Sequence, residues 1–203
     1  IILPAPSWVS YSPQAKIADN KVHWIHTNRE NNWFPTGLEL EKKIKQIGKK
    51  NITSIFFGGG TPSLMPTWLV DQLINHAQNL FGFAADIEIT AEANPTSVEV
   101  KSMLEFRQAG INRVSMGVQS LDDASLKFLG REHSVADALD ALNKVRATFD
   151  SISIDLIYAL PNQSAKAWRT ILSEALSLEL KHLSLYQLTI EAGTIFHTRQ
   201  RKG

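Results

Sequence analysis

The sequence predicts an α/β fold of parallel β/α units, and three observations carry that prediction. From about residue 38 onward, apolar β-branched runs of strand length alternate with segments of helical period. The links between them are short. Five strand-like runs follow residue 50 and read as apolar on both faces, the pattern of parallel strands covered by helices. A doubly wound sheet and a full or partial β/α barrel both satisfy this pattern.

The elements follow in order. Leu40, Ile44 and Ile47 share one helical face, and Gly48 stops that helix. Ile52-Thr53-Ser54-Ile55-Phe56-Phe57 reads as a strand running into Gly58-Gly59-Gly60. After Pro66, a helix is marked by Leu69, Val70, Leu73, Ile74, Ala77 and Leu80. Ile87 to Ala91 predicts a strand, and Thr96 or Ser97 is placed to cap a helix that runs to Ala109 and closes at Gly110. Asn112 to Gly117, Ile152 to Ile157 and Leu183 to Leu188 are the remaining strands. Helices around Ala138–Val145 and Trp168–Leu176 lie between them. Residues 1–37 differ: they hold Trp8, Trp24 and Trp33 with four prolines and show no sustained period. They are read as an irregular N-terminal segment, with possible short strands at Ile1–Leu3 and Val22–Ile25. Residues 38–203 are read as the β/α body.

Composition narrows the function classes. The 203 residues carry 21 Lys+Arg against 20 Asp+Glu, so no field of one sign argues for a nucleic-acid or membrane surface. Cysteine is absent, which removes a disulfide scaffold, a thiol nucleophile and any thiolate-held metal site. The six histidines show no metal-ligand spacing. No apolar run approaches the roughly 18 residues of a membrane helix, and a cytoplasmic protein is the expectation. The chain starts on Ile1 and stops in a basic tail, which reads as a fragment of a longer protein.

The strand ends carry the functional signal. Gly58 to Thr61, Glu92 and Asn94, Gln119 and Ser120, Asp155, then Tyr186, Gln187 and Thr189 sit at or near the C-terminal ends of successive strands. In β/α folds those ends share one face, where small molecules bind. Each residue has a plainer reading. The glycines suit a tight turn as well as a close ligand approach. Glu92 and Asp155 suit structural hydrogen bonds as well as ligand contacts, and Arg131 suits an ion pair with Glu132. No Lys-Ser/Thr follows the glycines, which excludes a Walker-type phosphate loop.

Taken together and in order, these blocks resemble the oxygen-independent coproporphyrinogen III oxidase family of radical S-adenosylmethionine (SAM) proteins, in its haem-chaperone-like branch. The matching stretches are Ile55–Leu64, Glu88–Pro95, Ala109–Asp123, Leu126–Ser134, Ser153–Ser164 and His182–Thr194. The resemblance implies a partial (β/α) barrel with SAM across the strand ends and no further C-terminal domain in this chain. It implies that Gly59, Gly60 and Thr61 line the SAM site and that Glu92 faces the methionine or ribose portion. Gln119, Arg131 and Asp155 match positions that contact a second SAM in the oxidases. It also implies haem or porphyrin as a ligand and haem-accepting proteins as partners.

One departure is large. The family holds a [4Fe–4S] cluster on three cysteines after its first strand. The aligned positions here are Pro6, Ser10 and Pro13 or, in a second register, Trp8, Ser12 and Ala15. Neither register supplies a thiolate, so no catalytic or metal residue is assigned. Either the lineage has lost its cluster, or residues 1–37 are read in the wrong frame; the abrupt start of regular pattern near Leu38 favours the second. The alternatives to a radical enzyme are a cluster-less SAM or haem carrier and an unrelated β/α-barrel enzyme.

Overall fold

The computed structural model describes residues 2–5, 11–31, 36–48, 51–59, 61–96, 102–190 and 196–198. It divides the chain into two compact units, residues 1–51 and 52–203. In the first, β1 (Ile2–Ala5) and β2 (His23–His26) pair in parallel, with helix α1 (Tyr11–Ile17) between them. Leu3, Ala15 and Ile25 are its buried apolar residues. Helix α2 (Gly37–Ile47) starts in a reciprocal cap: Thr36 Oγ1 accepts from Glu39 N–H, and the Glu39 carboxylate accepts from Thr36 N–H. The two short early strands appear within two residues of their expected places. Composition changes near Leu38, where regular period begins, whereas the units part after Asn51, so α2 groups with the first.

The second unit holds five strands: β3 (Ile52–Phe57), β4 (Phe83–Ala93), β5 (Arg113–Gln119), β6 (Ser151–Tyr158) and β7 (His182–Gln187). They pair in chain order and all in parallel. Sequential order decides between the two architectures open to the sequence. A doubly wound sheet reverses its strand order and carries helices on both faces. Right-handed crossovers that always advance in one direction put every helix on the same face. The strands accordingly curl into a half-barrel, a partial (β/α) barrel.

Helices α3 (Thr67–Phe81), α4 (Met103–Gln108), α6 (Val135–Arg146) and α7 (Ala165–Ser177) cover the outer face, and α5 (Asp123–Phe128) follows β5. Val70 and Ile74 of α3, Met103 and Phe106 of α4, Ala138, Ala141, Leu142 and Val145 of α6, and Ile171 and Ala175 of α7 form one buried cluster with the sheet. The sheet contributes Ile89, Ala91, Ala93, Val114, Met116, Val118, Ile152, Ile154 and Leu156.

The inner face corrects the expectation of strands apolar on both sides. Register aligns Thr90 with Arg113, Glu92 with Ser115, Ser115 with Ser153, and Asp155 with Ser184. The residues between the apolar ones are therefore polar and share the concave side. Thr90, Arg113, Ser115 and Ser153 are buried there. The true period is two, with one face for helices and one for a polar lumen.

Boundaries differ modestly. β4 begins at Phe83, four residues before the expected start. The described part of the helix before Gly110 begins at Met103, after Ser102; Ser97 lies outside the described residues. Helix α5 is an addition, capped where Asp122 accepts from Ser125 N–H at 2.8 Å.

Candidate functional site

The C-terminal strand ends of the half-barrel surround a cavity of about 360 Å³. Its wall brings together Thr61, Glu92, Gln119, Arg131 and Asp155, five of the seven residues singled out from sequence. Gly59 reaches the same site through its backbone, donating its N–H to Glu92 Oε2 at 3.0 Å. Its φ of +82° is one that a glycine adopts without strain. Gly60 lies outside the described residues.

β5 passes behind the cavity with its backbone bare. A Cβ added to Gly117 would stand 2.9 Å from Gln119 Nε2 and 3.7 Å from the Ala93 carbonyl. The missing side chain is what lets the Gln119 carboxamide fold across the strand. Gln119 itself has φ +70° at a break in the β5–β6 register. That is a costly backbone for a non-glycine residue, and such a bulge redirects the side chain.

Asp155 is half-buried. Ser115 Oγ donates to its Oδ1 at 3.0 Å, and Ser184 hydrogen-bonds it from β7. Loss of hydration pushes its carboxyl above the usual aspartate range; the two serine bonds and Arg113 pull the other way, while the Glu92 charge adds to the rise. The Tyr186 phenol is raised as well, first by lost hydration and then by the Asp155 charge. Arg131 is exposed by surface area at the cavity rim, and partial loss of hydration lowers its pKa while leaving it a cation. The loop that carries it is tied to β5 by the 3.0 Å contact of His133 Nε2 with the Val118 carbonyl.

Arg113, Ser115, Ser153 and Ser184 also lie on the lumen side, Ser115 opposite Glu92 and Ser184 opposite Asp155 in the strand register. Arg113 Nη1 donates to Thr90 Oγ1 at 3.1 Å and Nη2 to Ser153 Oγ at 2.8 Å, while His182 Nδ1 lies 3.3 Å away. Glu88 stands 3.7 Å from Arg113. The alternation Arg113, Ser115, Gly117 was the signal that marks this face.

The raised Asp155 carboxyl makes a stability prediction. The folded chain binds that proton more tightly than the unfolded chain, so Asp155 costs stability as pH rises through its folded pKa. The cost vanishes below the ordinary aspartate value. Asp155→Asn should raise the melting temperature at neutral pH, and the gain should shrink toward pH 4. A mutant that melts lower than wild type at pH 7 would make Asp155 a structural acceptor instead.

This geometry can be set beside known proteins. The family model for the radical SAM superfamily matches residues 16–175. The chain belongs to the radical SAM superfamily. It is 35% identical over 212 residues to radical S-adenosyl methionine domain-containing protein 1, mitochondrial, of Bos taurus, covering 96% of this chain and 48% of that protein. It is 39% identical over 165 residues to the haem chaperone HemW of Haemophilus influenzae, covering 81% of this chain and 43% of the other. The structure is similar to coproporphyrinogen III oxidase (HemN) from Escherichia coli, a radical SAM enzyme, with TM-score 0.61 and 30% identity, covering 74% of this chain and 35% of that one. The chain thus spans less than half the length of each.

One of the open alternatives closes here. An unrelated β/α-barrel enzyme is excluded by the family match. The cattle alignment takes in 96% of the chain, so it includes most of residues 1–37.

The radical SAM family implies SAM and a [4Fe–4S] cluster, and the two fit this chain differently. The cavity offers carboxylates for an ammonium or ribose hydroxyls, a cation for a carboxylate and an amide for either, a donor set that suits SAM. The cluster does not fit. The chain has no cysteine, and among the described residues no three His, Asp or Glu side chains gather to hold a metal. No helix among the described residues is long and apolar enough to cross a membrane.

Proposed function

We propose that this chain is the SAM-binding half-barrel of a HemW-like haem chaperone, and that it holds SAM as an intact ligand in the strand-end cavity. The observation that carries the reading is the Glu92 carboxylate, aimed into the cavity and fixed by the Gly59 N–H. Gly59, Gly60, Thr61 and Glu92 would take the methionine and ribose portions. Gln119, Arg131 and Asp155 would share the polar groups of those portions, Arg131 pairing with the methionine carboxylate. SAM supplies an activated sulfonium when bound. The residues of this chain bind it, orient it and shield it on the sheet side; with no thiolate for a cluster, they give reductive cleavage no mechanism. Haem or a porphyrin is the proposed second ligand and a haem-accepting protein the proposed partner, by analogy with the relatives named haem chaperones. The cytoplasm is the proposed compartment, although several relatives are named mitochondrial.

Calorimetry with SAM tests this directly. Wild type should bind weakly, because no iron is present to chelate the amino acid. Glu92→Ala should weaken binding by a further ~1.5–3 kcal/mol, the range of a hydrogen bond to a charged group. Equal affinity in a mutant that melts like wild type would remove Glu92 from the site.

A further inference from the structure

From below the cavity into its wall runs a chain of hydrogen bonds whose direction is set by chemistry alone. A guanidinium only donates, so Arg113 Nη2 gives its hydrogen to Ser153 Oγ, 2.8 Å away. A hydroxyl has one hydrogen. Ser115 spends its own on Asp155 Oδ1 at 3.0 Å. The 3.0 Å contact between the Ser115 and Ser153 hydroxyls therefore has Ser153 as donor. Every hydrogen points the same way, from a buried cation on β5 through two hydroxyls to a carboxylate on β6. Such aligned chains polarise one another, more so where water is excluded.

We propose that Arg113 is a positioning residue of the cavity: through Ser153 and Ser115 it fixes Asp155 as an acceptor whose remaining lone pairs face a hydroxyl or ammonium group of the bound ligand. This rests on the reading that the cavity binds SAM. A carboxylate has about four lone-pair sites, and Ser115 and Ser184 take two. What the relay adds is charge without contact: among the described residues no cation touches Asp155, yet its Oδ1 sits at the receiving end of one. An Arg placed directly on the carboxylate would neutralise it and close it to a ligand donor. Kept two hydroxyls away, it stabilises the ionised form and leaves the cavity side open. The other charged or titratable groups that bear on Asp155 are Glu92 on β4 and Tyr186 on β7, with Arg131 on the cavity wall and His182 and Glu88 beside Arg113. None of these is removed by changing either serine.

The test follows the Asp155 carboxyl by carbon NMR through a pH titration of the ligand-free protein, with the signal assigned by its loss in Asp155→Asn. Ser115→Ala should move its midpoint upward. Ser153→Ala, which touches Asp155 nowhere, should move it upward as well, and Ser115→Thr should restore the wild-type value. SAM affinity should fall roughly 5- to 10-fold in each alanine variant, the size of one ordinary hydrogen bond. An Asp155 titration indifferent to Ser153→Ala overturns the relay. A titration that responds in a protein that binds no SAM upholds the relay and overturns the ligand reading instead. Thermal melts of the serine variants check that each is folded, so the result does not depend on an Arg113 variant surviving.

Discussion

Anaerobic reconstitution of this chain with iron and sulfide is expected to yield no [4Fe–4S] cluster. Such clusters are held by thiolates, and the soft sulfur donors have no substitute among hydroxyls, imidazoles and carboxylates at comparable affinity. The chain has no cysteine. The positions that the family resemblance sets against the cluster ligands are Pro6, Ser10 and Pro13 or Trp8, Ser12 and Ala15; proline, tryptophan and alanine donate nothing, and a serine hydroxyl stays protonated at neutral pH. The measurement is bound iron together with the broad visible absorption of the cluster. Stoichiometric iron with that spectrum would overturn the prediction. It would also give SAM, if bound in the cavity as proposed, a radical role. The effect is close to all-or-none, because a site short of all its thiolates has no partial version of the same coordination.

How much of this was legible in the sequence depended on which residues repeat with a period. The five strands and most of the outer helices were readable because their apolar residues are dictated by the core they share: Val70 and Ile74, Leu142 and Val145, and Ile171 and Ala175 recur at helical spacing. The site was readable at its rim, where Glu92, Gln119 and Asp155 interrupt or end apolar runs. It was not readable at its base. Arg113, Ser115 and Ser153 stand beside Val114, Met116, Ile152 and Ile154, and a strand rich in apolar residues looks two-sided until register shows which neighbours share a face. Ser is small enough to pass as a core residue, which hid the polar lumen. The strain at Gln119 left no mark in sequence, since its positive φ comes from a register break between two strands far apart in the chain. The resemblance supplied what periodicity does not, namely the ligand and the half-barrel, and strand order bears out the half-barrel over a doubly wound sheet.

Phe106→Ala should produce one of the largest losses of stability of any alanine truncation in the second unit. Phe106 is 1% exposed and is among the largest fully buried side chains. It sits on α4, whose described helix is six residues long, far below the ~12–15 residues at which a helix is even marginal by itself. No side-chain hydrogen bond caps its start. Burial of Met103 and Phe106 against the sheet is therefore what holds it, and the Phe106 carbonyl in turn accepts from Ile111 N–H on the approach to β5. Truncating a buried phenylalanine costs about 3–5 kcal/mol, which in a chain of this length lowers the melting temperature by roughly 6–20 °C. Propensity alone predicts the opposite sign, since alanine is the better helix former by a few tenths of a kcal/mol; the transfer and cavity terms are about tenfold larger and should win. Leu104→Ala, one turn face away and 59% exposed, is the control and should shift the melt little. Because β5 carries Ser115, Gly117 and Gln119, loosening α4 should also weaken SAM binding while leaving every cavity side chain in place. Calorimetry well below the lowered melting point separates that effect from simple unfolding. A Phe106→Ala protein that melts with wild type would mean that α4 is not docked as described, and the anchoring of β5 would have to be sought in α6 instead.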